Sequence, residues 1–529
     1  MTEQTNKLVK GAMLLSFAGM IAKIFSALYR IPLARLVGQE GMGYYETVYP
    51  IYSLLVSALL IGIPNAISKL TSEKIANDDY YNANNIFKYS RYVIVIMGVI
   101  ISMFMFFGAN FMIERWEWKS ETKYVIRGLS LSPIFISITG TYKGYFQGMQ
   151  KMLPTALTQI IENVTKVILG ISITYLLVKS NYSVSFAVGG AAIGTTLGFL
   201  LSAVYINIYY FKHKNSIKLN RERKLRDRVK FITVTRNIIR VAIPITIASA
   251  SYSIMRVIDS NTVFKRLTTI NKDVANKMMG QLGYAFTIIN VPLTISLALM
   301  ITIVPAISIA VAKNNYEDLI NKIVICIRFS LLLALPAAIG IIILSEPLMN
   351  MLYHTSAGHE YLMLLGICLV LIIIGQALAA ILQGMGKYYI PLVSLFVSVI
   401  IKYIINYYLI ASELQLMGAV IGSICYYAIY VLINYIIIKR ATNFRIDILK
   451  VVLKPMISTI IMGISVFFVY SGVHNIINSN TLSTLISIIT GIVIYGLMLI
   501  ITKTLREEDF VFIPYHESIV SKLKKLKLI

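Results

Sequence analysis

Charged side chains lie at regular spacing inside long apolar stretches of this sequence. Lys23, Ser26 and Arg30 are three and four residues apart, so a helix places them on one face. Arg256 and Asp259 lie together in a later stretch, among serines at the same spacing. A charge at the centre of a bilayer costs about 2.5–3.5 kcal/mol and is tolerated mainly where it faces water, protein or a substrate. These stripes therefore predict residues that line a cavity.

Two further stretches carry charges at corresponding places. Glu162 and Lys166 lie four residues apart in one, and Lys402 lies in the other. Two alternatives to a cavity role stay open. Glu162 and Lys166 have the spacing at which a helix lets opposite charges neutralise each other, and Arg30 has a side chain long enough to reach the membrane interface.

The charges inside the apolar stretches have an excess of one sign. The cations are Lys23, Arg30, Lys166, Arg256 and Lys402, and the anions are Glu162 and Asp259. A cavity with this excess attracts an anion, and planar guanidinium donors bind phosphate through two hydrogen bonds. A phosphate or diphosphate headgroup is the expected ligand. An exporter of cationic drugs, the alternative with the same architecture, is expected to show an acidic excess.

Other chemistries find little support in the sequence. The phosphate-binding loop of ATP-driven pumps, Gly-x-x-x-x-Gly-Lys-Ser/Thr, does not occur. His354, His359 and Glu360 share one short segment and are interpreted as solvated loop residues. The three cysteines lie in apolar stretches without paired spacing. We therefore expect no enzyme activity, no bound metal and no cofactor.

The elements that must position these residues are membrane-spanning helices. The chain has 529 residues, 57% hydrophobic and only 14% charged, with a mean hydropathy of +0.74. Soluble domains carry about 25% charged residues. Strands of a membrane barrel would be about ten residues long with alternating polarity, whereas these stretches are apolar throughout. The sequence predicts an all-α polytopic membrane protein with about fourteen transmembrane helices, at residues 11–33, 44–66, 90–112, 125–146, 154–178, 184–211, 238–258, 282–305, 324–345, 361–383, 389–411, 417–438, 456–473 and 482–502.

An internal repeat divides these helices into two halves. QGMQK at residues 147–151 returns as QGMGK at 383–387, and GAAIG at 190–194 returns as GAVIG at 418–422. Six predicted spans separate the copies, so both have one orientation, as in transporters built from parallel repeats. The predicted division is an N-lobe of helices 1–6 at 1–211, a basic linker at 212–237, a C-lobe of helices 7–12 at 238–438, helices 13 and 14 at 439–502, and a basic tail at 503–529.

Basic residues also predict the topology. Lys and Arg number 49 against 24 Asp and Glu, a net charge of +25. With the N-terminus in the cytoplasm, most Lys and Arg residues of the loops and tails lie on the cytoplasmic side, as membrane proteins prefer, and the reverse topology inverts this division. Both termini are therefore predicted to be cytoplasmic. The linker at 212–237 is interpreted as a topology anchor that touches anionic lipid headgroups, with a regulatory or partner-binding surface as the alternative.

Three motifs resemble a known family. GYFQGMQKMLPTA at 144–156, ILQGMGK at 381–387 and VPAIS at 304–308 resemble the stage V sporulation protein B group of polysaccharide biosynthesis proteins. That group is related to MurJ-type lipid II flippases in the multidrug/oligosaccharidyl-lipid/polysaccharide exporter superfamily. The resemblance implies MATE-like N- and C-lobes that form a V around a central cavity. It also implies transport of an undecaprenyl-pyrophosphate-linked sugar from the inner to the outer leaflet.

The resemblance assigns roles to single residues as well. Lys23 falls at a position where MurJ-type proteins place an essential cation in the first helix. Tyr29 falls at the next such position, with Arg30 adjacent to it. The cation that MurJ-type proteins have in the eighth helix is missing near Thr287, and Arg256 is the expected substitute.

Charge placement and resemblance together predict a flippase for lipid II or a related lipid-linked oligosaccharide, working by alternating access. It is expected in the bacterial cell membrane, in cell-wall and polysaccharide biosynthesis. The expected partners are the lipid-linked substrate, membrane lipids and cell-wall synthesis proteins, but no nucleic acid. Two alternatives stay open: a cation-coupled multidrug exporter of the same fold, and a non-transporting scaffold for envelope synthesis.

Overall fold

A computed structural model describes residues 3–213, 229–267 and 271–504, and within these ranges the secondary structure is helical, with no strand. The basic linker is therefore described only at its two ends, and of the predicted basic tail only residues 503 and 504 are described. The α-helices are α1 (Glu3–Ser57), α2 (Ile63–Ala76), α3 (Tyr80–Phe107), α4 (Ala109–Trp116), α5 (Lys123–Leu129), α6 (Ser132–Gly148), α7 (Leu153–Lys179), α8 (Val184–His213), α9 (Phe231–Ser249), α10 (Ser251–Leu267), α11 (Lys272–Ala312), α12 (Tyr316–Ile343), α13 (Ser345–Tyr353), α14 (His359–Gly384), α15 (Tyr389–Leu409), α16 (Leu416–Thr442), α17 (Lys454–Ile477) and α18 (Asn480–Ile501).

The helices confirm the predicted multi-pass membrane architecture. Within the described ranges, eleven helices are long and apolar enough to cross a membrane, or twelve when the bent pair α9 and α10 is one span. One of these, Ile24–Ala76, covers residues 24–33 of the first predicted span and the whole of the second. The predicted span at 125–146 corresponds to α5 and α6, which are separated by a break and are each shorter than 18 residues. Fourteen spans are compatible with these helices, and that exact number stays a prediction.

A single glycine interrupts α1. Gly38 has φ 63° and ψ −170°, a conformation that residues with a Cβ rarely adopt. It lies in the polar gap between the first two predicted spans and divides α1 into residues 3–37 and 39–57. A π-helical turn at Ala58–Gly62 then leads into α2. The break allows the part of α1 before Gly38 and the part after it to run in different directions.

The first compact unit comprises residues 1–280, and the second comprises residues 281–529. In the first unit α7 packs along α8 and against α1, and α6 packs against α2, α3 and α8. In the second, the apolar core lies among α11, α12, α14 and α16, and α17 packs along α18. By these contacts α9 and α10 belong to the first unit. The division into lobes at 211 and 238, which follows the repeat, stays a prediction.

Close backbone contact joins α7 and α8. A Cβ added at Gly194 on α8 would overlap the backbone of Gly170 on α7. Small residues permit such approach between membrane helices, where dispersion and interhelical polar contacts replace the hydrophobic effect as the main attraction. Gly194 is the last residue of the GAAIG copy of the repeat. It lets α8 pack closely against α7, the helix that carries Lys166.

Gly194→Ala is expected to lower the melting temperature of the detergent-purified protein, because the new methyl group must separate α7 from α8. Gly496→Ala on α18 is the matched control, since a Cβ there meets no heavy atom within 4 Å. Replacing a glycine inside a helix by alanine stabilises the helix by about 1 kcal/mol when the methyl group meets no neighbour. Equal melting temperatures for the two variants would contradict the tight contact at Gly194.

Candidate functional site

A buried carboxylate bridges two arginines in the first unit. Glu46 Oε1 lies 2.8 Å from Arg30 Nη1, and Glu46 Oε2 accepts a 2.8 Å hydrogen bond from Arg256 Nη2. Glu46 and Arg256 are only 1% and 4% exposed. Arg30 precedes the Gly38 break in α1, Glu46 follows it, and Arg256 lies on α10. Three helical segments therefore meet at one ionic cluster, which we call the Arg–Glu–Arg cluster (Arg30, Glu46 and Arg256).

Two serine contacts hold α10 beside α1 near the cluster. The hydroxyl groups of Ser53 and Ser253 lie 2.9 Å apart, and Ser260 Oγ donates to the Thr47 carbonyl at 2.8 Å. Thr47 pairs with Ser260 and Ser53 with Ser253, so the two segments run antiparallel. Ser253 and Ser260 belong to the polar stripe predicted around Arg256, and both make contacts with α1.

Tyrosines form an aromatic wall beside the cations. The Arg30 guanidinium lies 5.3 Å from the Tyr49 ring centroid and 5.9 Å from that of Tyr45. Lys166 Nζ lies 4.6 Å from the Tyr29 ring centroid and 5.8 Å from that of Tyr49. Cation–π contacts of this kind stabilise a desolvated cation by up to about 2 kcal/mol. Tyr29, predicted on resemblance, thus lies against Lys166 on α7, and Arg30 shares the Tyr49 ring with that lysine.

A second ion pair lies between α6 and α7. Lys143 Nζ on α6 is 3.5 Å from Glu162 Oε2 on α7, and the Lys143 side chain is 11% exposed. Glu162 therefore has an interhelical partner in addition to any interaction with Lys166 on its own helix, and their mutual neutralisation stays a prediction. Lys143 lies inside a predicted span and was not among the expected site residues.

Cations exceed carboxylates among the described charged residues in and near the Arg–Glu–Arg cluster, on α1, α6, α7 and α10. The cations are Arg30, Lys143, Lys166 and Arg256, and the carboxylates are Glu46, Glu162 and Asp259. Each guanidinium has five N–H donors in a planar fork, which matches the oxygens of carboxylates and phosphates. Chemically, the arrangement can bind a multiply charged anion. Among the described residues, no group of three or more His, Cys, Asp or Glu is placed to hold a metal ion.

The remaining predicted residues have different surroundings. Lys23 lies on α1, but its side chain is outside the described residues. Ser26 is half-buried on α1, and Asp259 is 1% exposed on α10. Lys402 lies in the second unit, where its Nζ donates to Ser423 Oγ at 2.6 Å and to the Ala419 carbonyl at 3.3 Å. A role of these residues in substrate binding stays a prediction.

Glu46 is the central residue that sequence reasoning missed. It lies at the third position of the predicted span 44–66, where a charge is easily interpreted as belonging to the interface. A signal was nevertheless present. Arg30 and Arg256 both lie inside apolar stretches, a buried cation requires a counter-ion, and Glu46 is a carboxylate in the span that follows Arg30.

A further ionic contact fixes another part of α1. Lys119, which lies between α4 and α5, is 2.5 Å from Asp273 Oδ1 and donates to the Tyr44 hydroxyl at 3.1 Å. Desolvation lowers the pKa of Lys119, but the hydrogen bonds with Asp273 and Tyr44 outweigh it, so the pKa is raised above its usual value. Lys119 therefore stays charged and holds α1 to the start of α11.

The cluster predicts an asymmetry in stability. Glu46→Gln leaves two buried guanidinium groups facing each other and should cost about 3–5 kcal/mol, whereas Arg256→Gln leaves a neutral Arg30–Glu46 pair and should cost less. The measurement is the melting temperature of each purified variant without ligand. A larger loss for Arg256→Gln than for Glu46→Gln would contradict the bridging role of Glu46.

Two family models match the chain. The model described as "Polysaccharide biosynthesis protein" matches residues 8–309, and the MatE model matches residues 244–408. The first match includes the whole Arg–Glu–Arg cluster. It covers more than half of the chain.

Individual proteins match over most of their length. The chain is 27% identical to the lipid II flippase MurJ of Bacillus subtilis, over 87% of this chain and 88% of that protein. It is 24% identical to stage V sporulation protein B of B. subtilis, over 97% and 98% of the two chains. A solved MurJ structure in an inward closed conformation superposes with a TM-score of 0.67 at 18% identity, over 92% of this chain and 98% of that one. An inward-facing MATE multidrug transporter of the MOP superfamily gives 0.66 at 18% identity, over 82% and 98%. The chain therefore shares the fold of these solved transporter structures.

Proposed function

The chain belongs to the polysaccharide biosynthesis protein family, and from that premise we propose that it is a flippase for an undecaprenyl-diphosphate-linked cell-wall precursor. It moves lipid II or a related lipid-linked oligosaccharide from the inner to the outer leaflet. The similarity to a MurJ flippase and to stage V sporulation protein B supports this substrate class. We place the protein in the bacterial cell membrane with both termini in the cytoplasm, beside the cell-wall synthesis proteins that use its product.

The observation that carries this proposal is the Arg–Glu–Arg cluster with its lysine neighbours. Two guanidinium groups converge on one carboxylate, and Lys166 lies near Tyr49, the ring that also contacts Arg30. A diphosphate offers more oxygens and more negative charge than one carboxylate, and bidentate guanidinium contacts suit it. In the proposed complex, Arg30 and Arg256 bind the diphosphate, Lys166 adds charge, and the tyrosines contact the first sugar.

Alternating access requires helices that bend without unfolding. Within the first unit, α1 is interrupted at Gly38, and α9 and α10 meet at an angle of 63°. Both breaks lie on elements that carry the cluster. We propose that these breaks absorb the backbone changes of transport, while the lipid tail stays in the hydrocarbon and the headgroup passes through the polar interior.

Arg256→Gln is expected to abolish selective binding of the precursor. Native mass spectrometry of the purified protein with an undecaprenyl-diphosphate-linked precursor and phosphatidylglycerol should show preference for the precursor in the wild type. The preference should fall by about tenfold or more in the variant, because a buried charge-assisted contact is lost. Arg240→Gln, at an exposed arginine of α9, is the matched control. Binding that is unchanged in Arg256→Gln would refute the assignment of the cluster.

The MatE match at residues 244–408 favours a second candidate, a multidrug exporter. Against it stands the excess of cations over carboxylates in the first unit. The two functions differ in one assay. Proteoliposomes with a cationic dye on the inside should show no efflux by this protein, with or without a sodium or proton gradient. Dye efflux that Arg256→Gln does not affect would favour the exporter.

A further inference from the structure

Glu46 occupies the place at which the two arginines would hold an anion. One carboxylate oxygen faces Arg30 Nη1 and the other accepts from Arg256 Nη2, each at 2.8 Å. Carboxylates and phosphates bind guanidinium groups through the same N–H fork. While Glu46 is bound, the N–H groups directed at it are not available to a second anion. The cluster is thus an anion site that already contains an anion supplied by the chain.

We propose that Glu46 is an internal competitor of the substrate. Its carboxylate holds Arg30 and Arg256 until substrate arrives, and the diphosphate of the lipid carrier displaces it on binding. The inference rests on the proposed function, since it requires a substrate that carries phosphate.

Charge and hydrogen bonding make the exchange feasible. Two guanidinium groups and one carboxylate leave a net positive charge, which a diphosphate neutralises more completely than Glu46 does. A displaced carboxylate needs new donors, because an unpaired buried charge is costly. Tyr45, Tyr49 and Tyr252 are electrostatic neighbours of Glu46. Their hydroxyl groups are neutral donors of the kind that a displaced carboxylate needs, and in the proposed exchange they take that role.

Displacement has a mechanical consequence for the first unit. The contact between Glu46 and Arg256 is an ionic link between α1 and α10, alongside the two serine contacts. Its exchange for a diphosphate loosens α10 from the part of α1 that follows Gly38. It also separates that part of α1 from Arg30, on the other side of the break. Occupancy of the site is thereby linked to movement at the Gly38 break and at the α9–α10 bend.

The test compares the affinities of variants of the full-length protein in detergent for farnesyl diphosphate, a short lipid diphosphate. Glu46→Gln should lower the Kd by about tenfold, the change expected when a close competing charge pair is removed. Glu73→Gln on α2 is the matched control, because that carboxylate is exposed and pairs only loosely with Lys69 at 4.0 Å. Its Kd should equal that of the wild type. Equal or weaker binding by Glu46→Gln overturns the inference.

Further arms separate this inference from the proposed function. Arg256→Gln should lose binding; a variant that binds like the wild type, or a wild type that does not bind, refutes the assignment of the diphosphate to the Arg–Glu–Arg cluster, on which the proposed function rests. Loss in Arg256→Gln without a gain in Glu46→Gln refutes only the competition. Inorganic diphosphate is the second probe: tighter binding of it than of farnesyl diphosphate would assign the site to a free phosphate compound instead of a lipid.

A second measurement does not depend on the folding of Glu46→Gln. Cysteines replacing Ser53 and Ser253, whose hydroxyl groups are 2.9 Å apart, should form a disulfide between α1 and α10 when copper phenanthroline is added as the oxidant. Farnesyl diphosphate should slow this oxidation several-fold when Glu46 is present, because displacement of the carboxylate loosens the two helices. An oxidation rate that the ligand does not change overturns the inference.

Discussion

The counter-charge requirement of two buried arginines governs the first unit of this protein. An isolated guanidinium group has a prohibitive desolvation cost in a low-dielectric interior, and two of them side by side repel each other. Glu46 supplies a counter-charge to both arginines, because each of its two oxygens contacts one guanidinium group. To do so it must lie between Arg30 on one side of the Gly38 break and Arg256 on α10. The break in α1 and the antiparallel packing of α10 are therefore conditions for a stable cluster.

The same ionic bridge explains why tyrosines surround the cluster. Tyrosines present a negative ring face to the cations and a hydroxyl group to polar partners, so they suit an interior that must be polar without carrying further charge. Tyr29 contacts Lys166 with its ring and donates to the Ala191 carbonyl at 3.0 Å. Gly194 allows α8 to approach α7 closely enough for such contacts. Packing, charge and hydrogen bonding thus agree at this site.

Hydropathy was sufficient to predict the fold class and most of the helices, because a spanning helix must satisfy its backbone internally and show an apolar surface to lipid. Finer features depend on tertiary contacts. The break between α5 and α6 and the bend between α9 and α10 each lie inside one predicted span, so the mean hydropathy that defines a span does not reveal them, although Pro133 stands at the start of α6. Arg30 and Arg256 were predicted from their spacing. Their joint partner was not, since the pairing of Glu46 depends on how α1 folds back and on which helix lies beside it.

The most direct test of the account is an experimental structure of the protein with an undecaprenyl-diphosphate-linked precursor bound. The account predicts diphosphate oxygens within about 3 Å of guanidinium N–H groups of both Arg30 and Arg256. A headgroup bound elsewhere, with both arginines still on Glu46, would contradict the central claim that this cluster is the substrate site.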